Sequence, residues 1–590
     1  MSSPDESEVR ASSANADVAR LFAEIGDILE LKGEPPYRYN AYRTAARNVG
    51  NVSERLEDLF AQGRLREIQG VGQALEAKIV EYLATGRMEA HERELRDFPI
   101  ALTSLLRIPG LGPGKARTLY RELGISSLAE LEDAARSGRL REVAGFGARA
   151  EQTVLANLER LKNRSERGLL SDAWVGVAQV REALGRVTDD DRLAVVGSVR
   201  RMQDSVGNLD LLAVADSEAE AQRYLDTLVS LPNLVQVLDR QPEAVSVRLY
   251  GGLDVRLFLV PRPAWGSALV WYTGSRAHVE HLQALAAERG WTLGPLGLEE
   301  RDTGKRLGGE RETGIYERLG LPWVPPELRE NEGEIEAARS GSLPKLLELA
   351  DIKGDLHTHT NWTDGTETLE DMAKAARARG YQYIALTDHT HNLAMTRGLT
   401  PERVAEQRNL VNRVNHKLAP FVVLHGTEMD ILLDGRLDLP DEVLHGLDYV
   451  SVSIHTGFSQ PRDTMTQRIR RAISNPLVTT LNHPHGRKIG TREGYAVDMQ
   501  AVIEDAARGG CALELNATPN RLDLNGTWAR RALRLGARFT ISSDAHAVRE
   551  FDYLQFGVGS ARRGWLTAAD VLNARPLDEL LNLLAEGRPQ

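Results

Sequence analysis

Toward the C-terminus, short apolar runs rich in β-branched residues repeatedly end in a histidine or an acid. Asp355-Leu356 leads into His357 and His359, Tyr383-Ile384-Ala385-Leu386 into His389, and Phe421-Val422-Val423-Leu424 into Glu428. The same happens at His455 after Val450-Ser451-Val452-Ser453-Ile454, at His483 after Val478-Thr479-Thr480-Leu481, and at Asp544 and His546 after Phe539-Thr540-Ile541. On a strand, side chains two apart share a face, so His357 and His359 aim two imidazoles the same way while Asp364 swings in from the next loop. A single such histidine is more often an ordinary core residue, but nine nitrogen and oxygen donors at strand ends exceed what one metal ion can use. The runs near 352–357, 383–387, 421–427, 448–454, 478–482, 511–515 and 537–543 alternate with polar or helical stretches, the signature of βα units. Seven strands with donors at their C-terminal ends predict a barrel that carries its chemistry on one rim.

Imidazole with carboxylate suits zinc, manganese or iron, and no thiolate takes part. Over about 353–590 this constellation resembles the polymerase-and-histidinol-phosphatase (PHP) domain, with all nine ligand positions filled. The resemblance implies a cluster of up to three Mn2+ or Zn2+ ions that hydrolyses phosphoesters, held by His357, His359, Asp364, His389, Glu428, His455, His483, Asp544 and His546. Glu428 is the expected bridge, because a carboxylate offers two oxygens where an imidazole offers one. Asn482, His485 and Arg487, beside His483, either orient ligands, or meet a substrate phosphate, or are plain loop residues.

Length and composition bound the rest. A chain of 590 residues with 42% apolar content has room for several packed cores. The single Cys511 excludes an internal disulfide and sits in an apolar run, as a small core residue in a reducing compartment would. No stretch is long and apolar enough to cross a membrane, so a soluble, cytoplasmic protein is expected. The net charge of −11 gives no general attraction to nucleic acid. Any DNA contact must then come from local basic surfaces and backbone amides.

Such amides are offered near the N-terminus. Ile68-Gln69-Gly70-Val71-Gly72, Ile108-Pro109-Gly110-Leu111-Gly112-Pro113-Gly114-Lys115 and Val143-Ala144-Gly145-Phe146-Gly147 each place a Gly-x-Gly turn before a helix. A helix start of this kind takes a phosphate without reading bases. The repeats resemble helix-hairpin-helix motifs. Gly70, Gly72, Gly110, Gly112, Gly114 and Lys115 are the expected DNA contacts, and the third copy is either a further phosphate grip or a structural turn. The stretch 70–78 also resembles the N-terminal domain of family X DNA polymerases, where a lysine attacks abasic sugars. Lys78 takes that place, with Ala74 where the family often has a second lysine.

Between these ends, Val196-Gly197-Ser198-Val199-Arg200-Arg201, Gly207-Asn208-Leu209-Asp210 and Leu253-Asp254-Val255-Arg256 resemble the nucleotidyltransferase palm of family X polymerases. The resemblance implies Asp210 and Asp254 as catalytic, Mg2+- or Mn2+-binding carboxylates. It implies Ser198, Arg201, Gly207, Trp271, Tyr272 and Gly274 as the nucleotide-binding set. Asn208 stands where the family has a third aspartate, and an amide supplies a dipole in place of charge.

The expected fold is multidomain: an α-helical helix-hairpin-helix N-terminal region, an α+β nucleotidyltransferase palm and a C-terminal (β/α)7 PHP barrel. Its segments are a disordered tail (1–15), two helical domains (16–95 and 96–168), the palm (169–262), a nucleotide-selecting polymerase subdomain (263–328), a linker (329–352) and the barrel (353–590). The expected function is DNA repair on gapped, nicked or broken ends: gap filling from deoxynucleoside triphosphates, weakened by Asn208, and Mn2+-dependent 3′–5′ exonucleolysis, with Glu428 catalytic in the barrel and Lys78 a candidate lyase. The alternatives are a small-molecule phosphatase of the histidinol phosphatase type and a non-catalytic DNA-end-binding scaffold.

Overall fold

The computed structural model describes residues 6–586 apart from 53–54, 98–104, 106–110, 144–145, 164–166, 186–189, 232–233, 250–251 and 394–395. The chain divides into two units, Met1–Glu166 and Arg167–Gln590.

The first unit is all helical. Its opening helix, Glu6–Lys32, begins ten residues before the amphipathic pattern does. The segment expected to be a disordered tail is therefore helical from Glu6. Its helix-compatible polar residues run straight into the buried face, and Asn15 Oδ1 accepts the Leu56 amide at 3.0 Å. Two helical cores follow, and this one helix feeds both. Val18, Phe22, Ile25 and Leu29 pack with Ala45, Leu59 and Ile79, whereas Ile28 and Leu31 pack with Leu119, Leu131 and Leu158.

In the second unit the palm is a five-stranded sheet. Its strands are β1 (Leu193–Val196), β2 (Leu209–Val214), β3 (Leu234–Gln241), β4 (Ala244–Leu249) and β5 (Asp254–Val260), in the order β1-β2-β5-β4-β3. β2 and β5 run parallel with Asp210 opposite Arg256, which puts the two aspartate positions on adjacent strand starts. A three-stranded sheet, β6 (Trp291–Gly294), β7 (Gly297–Glu300) and β8 (Arg306–Gly308), follows with helices Trp265–Thr273, Arg276–Ala287 and Glu312–Arg318. Segment 329–352, expected as a linker with one short helix, contains the helix Glu334–Arg339 and packs against its neighbours. Ile335, Ala338 and Leu346 enter the core of the preceding subdomain, and buried Glu334 accepts from His278 Nδ1 at 2.6 Å.

The C-terminal barrel has seven parallel strands in sequence order: β9 (Gly354–Thr358), β10 (Tyr383–Leu386), β11 (Val422–Asp430), β12 (Tyr449–Ser453), β13 (Thr480–Leu481), β14 (Ala512–Asn516) and β15 (Phe539–Ser542). Thr358 bridges Ala545, and the His359 amide donates to the Ala545 carbonyl at 2.8 Å, so the last strand returns to the first. Every barrel strand but one is buried along its whole length, as parallel strands covered on both faces should be. Barrel and palm share a core: Leu522 and Phe556 join the palm's apolar cluster, and Arg487 pairs with palm Asp204 at 2.8 Å.

Candidate metal centre and nucleotide pocket

The nine donors, far apart in sequence, meet on the C-terminal rim of the barrel. Glu428, near the end of β11, is the hub. Its Oε1 lies 2.8 Å from His483 Nε2 and 3.4 Å from His455 Nε2. Its Oε2 lies 3.1 Å from His389 Nδ1, 3.4 Å from His357 Nε2 and 3.6 Å from His359 Nε2. Asp544 Oδ1 faces His359 Nε2 at 3.3 Å and His357 Nε2 at 3.4 Å, and Asp364 Oδ2 faces His389 and His546 at 3.4 and 3.5 Å. These donors fall into three overlapping groups that could each hold an ion: His359, Asp364, His389 and His546; His357, His359 and Asp544; and His389, Glu428 and His455. His483 and Asp544 adopt positive φ, +30° and +56°. A bulky residue is held there only where the surroundings impose it, as functional sites do.

The electrostatics fit a cation cluster. His357 Nε2, both ring nitrogens of His359, and Nδ1 of His389, His455 and His483 are buried without a hydrogen-bond partner, an arrangement that is costly unless something binds them. Burial disfavours charge on Glu428 and Asp544, yet the surrounding imidazoles outweigh it and hold both carboxyls well below the usual range. Burial and the neighbouring His546 and His389 push His359 down to about 3. His483 falls to about 3, through burial and Arg521. This donor set can hold two or three divalent ions.

Around the donors stand residues that sequence reading missed. Glu514, inside β14, accepts from His357 Nδ1 at 2.7 Å and from the His483 amide at 2.7 Å, which fixes which nitrogen of His357 faces the centre. Asp430 stands 3.3 Å from His455 Nδ1, and Arg521 Nε 3.6 Å from Asp544 Oδ2. Of the three residues flagged beside His483, Asn482 donates to Ser451 Oγ at 2.9 Å, and the His485 amide donates to Asp523. Arg487 turns to Asp204 and to the carbonyl oxygens of Arg521 and Leu522, which commits its guanidinium to the loop and the palm.

In the palm, a cavity of about 620 Å3 is lined by Ser198, Arg201, Asn208, Asp210, Trp271, Tyr272 and Gly274, among others. Gly197, with φ +66°, has no room for a side chain, since a Cβ there would lie 2.5 Å from Asp210 Oδ2. Gly207 is exposed at the turn into β2, outside the cavity wall. Tyr272 stacks on Phe258 with ring centroids 4.1 Å apart. Arg201 spends its guanidinium on the Thr273 carbonyl and Glu330.

The palm carboxylates do not present an ion site as they stand. Asp210 is forked by Arg256 at 2.6 and 3.0 Å and takes the Asn208 amide at 2.5 Å, while Asp254 is forked by Arg248 at 2.6 and 2.9 Å. All four oxygens thus face donors. The charge that two metal ions need is already matched by two guanidinium groups.

In the first unit, Gly70 has φ +87° and Gly72 opens helix Gln73–Thr85, while Gly112 opens Pro113–Leu123, which contains Gly114. Lys115 lies over the Phe146 ring at 5.5 Å. Gly110 and Gly145 fall outside the described residues. Lys78 Nζ donates to the Ala74 carbonyl at 2.9 Å; burial and Arg93 lower its ammonium below the usual lysine range.

Known proteins match this order of parts. Family models match a helix-hairpin-helix domain over residues 13–88, a SAM-like helix-hairpin-helix tandem over 102–160, a DNA polymerase beta thumb over 268–330 and a PHP domain over 355–484. The chain is similar to "DNA polymerase/3'-5' exonuclease PolX" of Bacillus subtilis (strain 168), with 36% identity over 96% of this chain and 98% of that one. The chain belongs to the PolX family, DNA polymerases of family X that carry a C-terminal PHP domain. Probable phosphatases match about a third of this chain. One from Aeromonas salmonicida is 31% identical over 33% of this chain and 78% of its own, and one from Thermoanaerobacter sp. is 27% identical over 37% and 89%. Asp544 and His546 lie beyond the matched PHP segment, so their place in the centre rests on the geometry above. Among the described residues no helix is long and apolar enough to cross a membrane.

Proposed function

We infer that this member of the PolX family is a DNA-repair enzyme. It grips gapped, nicked or broken DNA through its helix-hairpin-helix unit, extends primer ends from deoxynucleoside triphosphates at the palm, and removes nucleotides from 3′ ends at the barrel. The observation that carries the nuclease reading is Glu428 facing five imidazoles on the barrel rim, in a chain whose other parts are a polymerase body. Bound Mn2+ or Zn2+ would supply an activated water and hold phosphate oxygens at neutral pH. His357, His359 and Asp544 would hold one ion, His389, Glu428 and His455 a second, and Asp364 with His546 would complete a third position. Glu514 orients the His357 ring, and the buried setting strengthens this contact.

At the palm, Ser198, Trp271, Tyr272 and Gly274 form the wall against which a nucleotide would lie. Asp210 and Asp254 are the family's carboxylates, and their arginine forks make incorporation the weaker of the two activities. Lys78, at the position where the family X N-terminal domain has its lysine, is the candidate for attack on an abasic sugar, and burial with Arg93 lowers its ammonium in the direction a Schiff-base lysine needs.

A 3′-overhang duplex labelled at its 5′ end, incubated with Mn2+, tests the nuclease reading. The wild type should shorten it stepwise, and His357→Ala should lower the rate at least about a hundredfold, as loss of a metal ligand does. Equal degradation by both proteins would remove the barrel as the nuclease. Hydrolysis of small phosphomonoesters without any DNA degradation would favour the phosphatase alternative.

A further inference from the structure

Loop 484–495, which follows His483, touches both working parts of the second unit. On one side Ile489 packs against the palm's apolar cluster and Arg487 pairs with Asp204, three residues past Arg201 in the cavity wall. On the other, the loop lies beside Arg521, whose Nε is 3.6 Å from the metal-centre carboxylate Asp544.

Within the loop, Lys488 and Arg492 form an antiparallel bridge, with amide-to-carbonyl hydrogen bonds of 2.7 and 2.8 Å. Directly opposed residues of such a bridge put their side chains on the same face. Arg492 lies over the Phe458 ring, 4.1 Å from its centroid, and donates to the Gly486 carbonyl at 3.0 Å. The Lys488 ammonium has no hydrogen-bond or ion-pair partner among the described residues.

These cations sit close enough to penalise one another. Burial, Arg521 and Arg492 lower the Lys488 ammonium, and only Asp544 pulls it back; burial and Arg521 likewise lower Arg492. Asp544 is committed to the donor cluster and is not a spare counter-charge. Asp523, the acid beside Arg492, already accepts the His485 and Gly486 amides, so three like charges gathered where every nearby acid is engaged cost stability, which a bound polyanion would return. A small phosphomonoester needs only the metal centre and one cation, whereas a strand brings successive phosphates.

We propose that Lys488, Arg492 and Arg521 form a phosphate-holding lane that leads a DNA strand end from the palm side of the barrel rim into the metal centre. The inference rests on the nuclease reading above. Lys488 and Arg492 are positioning residues for the polymeric substrate, and Phe458 beneath Arg492 offers an apolar face to the adjoining sugar or base.

The test compares the full-length wild type with the double variant Lys488→Met/Arg492→Met on two Mn2+-dependent substrates, a 3′-overhang oligonucleotide and the p-nitrophenyl ester of thymidine 5′-monophosphate. Arg521 is left in place because it touches a metal ligand. The ratio of kcat/KM for oligonucleotide over ester should fall about tenfold or more, mostly through KM. The plot of log kcat/KM for DNA against log salt should become shallower by roughly 0.7 for each cation removed. Lys488→Arg alone should keep both the ratio and the slope. An unchanged ratio and slope, or an equal loss on both substrates, would overturn the lane. A wild type that cuts the ester but no oligonucleotide would overturn the nuclease reading, and the lane with it.

Discussion

Asn208 donates its amide to the Asp210 carboxylate at 2.5 Å, so a position that would add a second negative charge helps to neutralise the first. Arg256 completes the neutralisation of Asp210 and Arg248 does the same for Asp254. Asn208→Asp turns that donor into a carboxylate, which repels Asp210 and competes for Arg256. Mn2+ binding, read by electron paramagnetic resonance titration, should tighten roughly tenfold, and primer extension should speed up with it. Unchanged binding and unchanged extension would show that the arginine forks are structural and that the missing acid is not what limits the palm. The substitution itself is legible in the sequence, because position and residue type are local facts. The forks are not: Arg248 lies on the strand beside Asp254, and only strand register brings the pair together. Glu514 shows the same limit. An acid inside Ala512-Leu513-Glu514-Leu515 signals a buried partner, but nothing local says that the partner is His357, 157 positions away.

At the scale of elements, the seven barrel strands were readable because β-branched runs and their spacing are local, and every barrel strand lies on one of those runs. Segment 329–352 misled because its acids and breakers look solvated. Their partners are His278 and Arg563, which come from a helix 56 positions earlier and from the barrel. A comparable long-range joint is Glu312, which meets Arg200 at 2.8 Å beside the nucleotide turn and Arg329 at 2.8 Å, and accepts from Trp323 Nε1 at 3.0 Å. Burial alone would raise its carboxyl, but Arg329 and Arg200 outweigh it and bring the value down to about 2. A carboxyl lowered on folding contributes its full stability above the unfolded value of 4.5, and that contribution is lost as pH falls toward about 2. Glu312→Gln should therefore cost about 3 kcal/mol at pH 7, since it leaves two arginines short of a buried partner. The cost should shrink as pH falls below the unfolded value. Urea unfolding of both proteins across that range checks it, and a penalty independent of pH would mean that Glu312 acts through packing and not through charge.

On the scale of the whole molecule, the division at residue 166 sets the helix-hairpin-helix unit, with Lys78, apart from the palm and barrel. The two helical cores of the first unit draw on residues from Val18 to Leu158, and the palm, thumb and barrel clusters all draw on residues from Leu170 onward. With a net charge of −11 on the chain, DNA affinity has to come from particular surfaces. On the proposed reading, the helix starts at Gly72 and Gly112 would offer backbone amides to phosphate without reading sequence. Removing residues 1–166 should then leave a folded protein that still contains the nine rim donors, the palm cavity and the cation lane. Its hydrolysis of a small nucleotide ester should stay within about twofold of the full chain, whereas KM for a 3′-overhang duplex should rise about tenfold or more and depend less steeply on salt. Fluorescence anisotropy with labelled duplex in EDTA separates binding from cutting. Equal DNA affinity with and without the first unit would place the grip in the palm and barrel, and the glycine hairpins would then be no more than turns between helices.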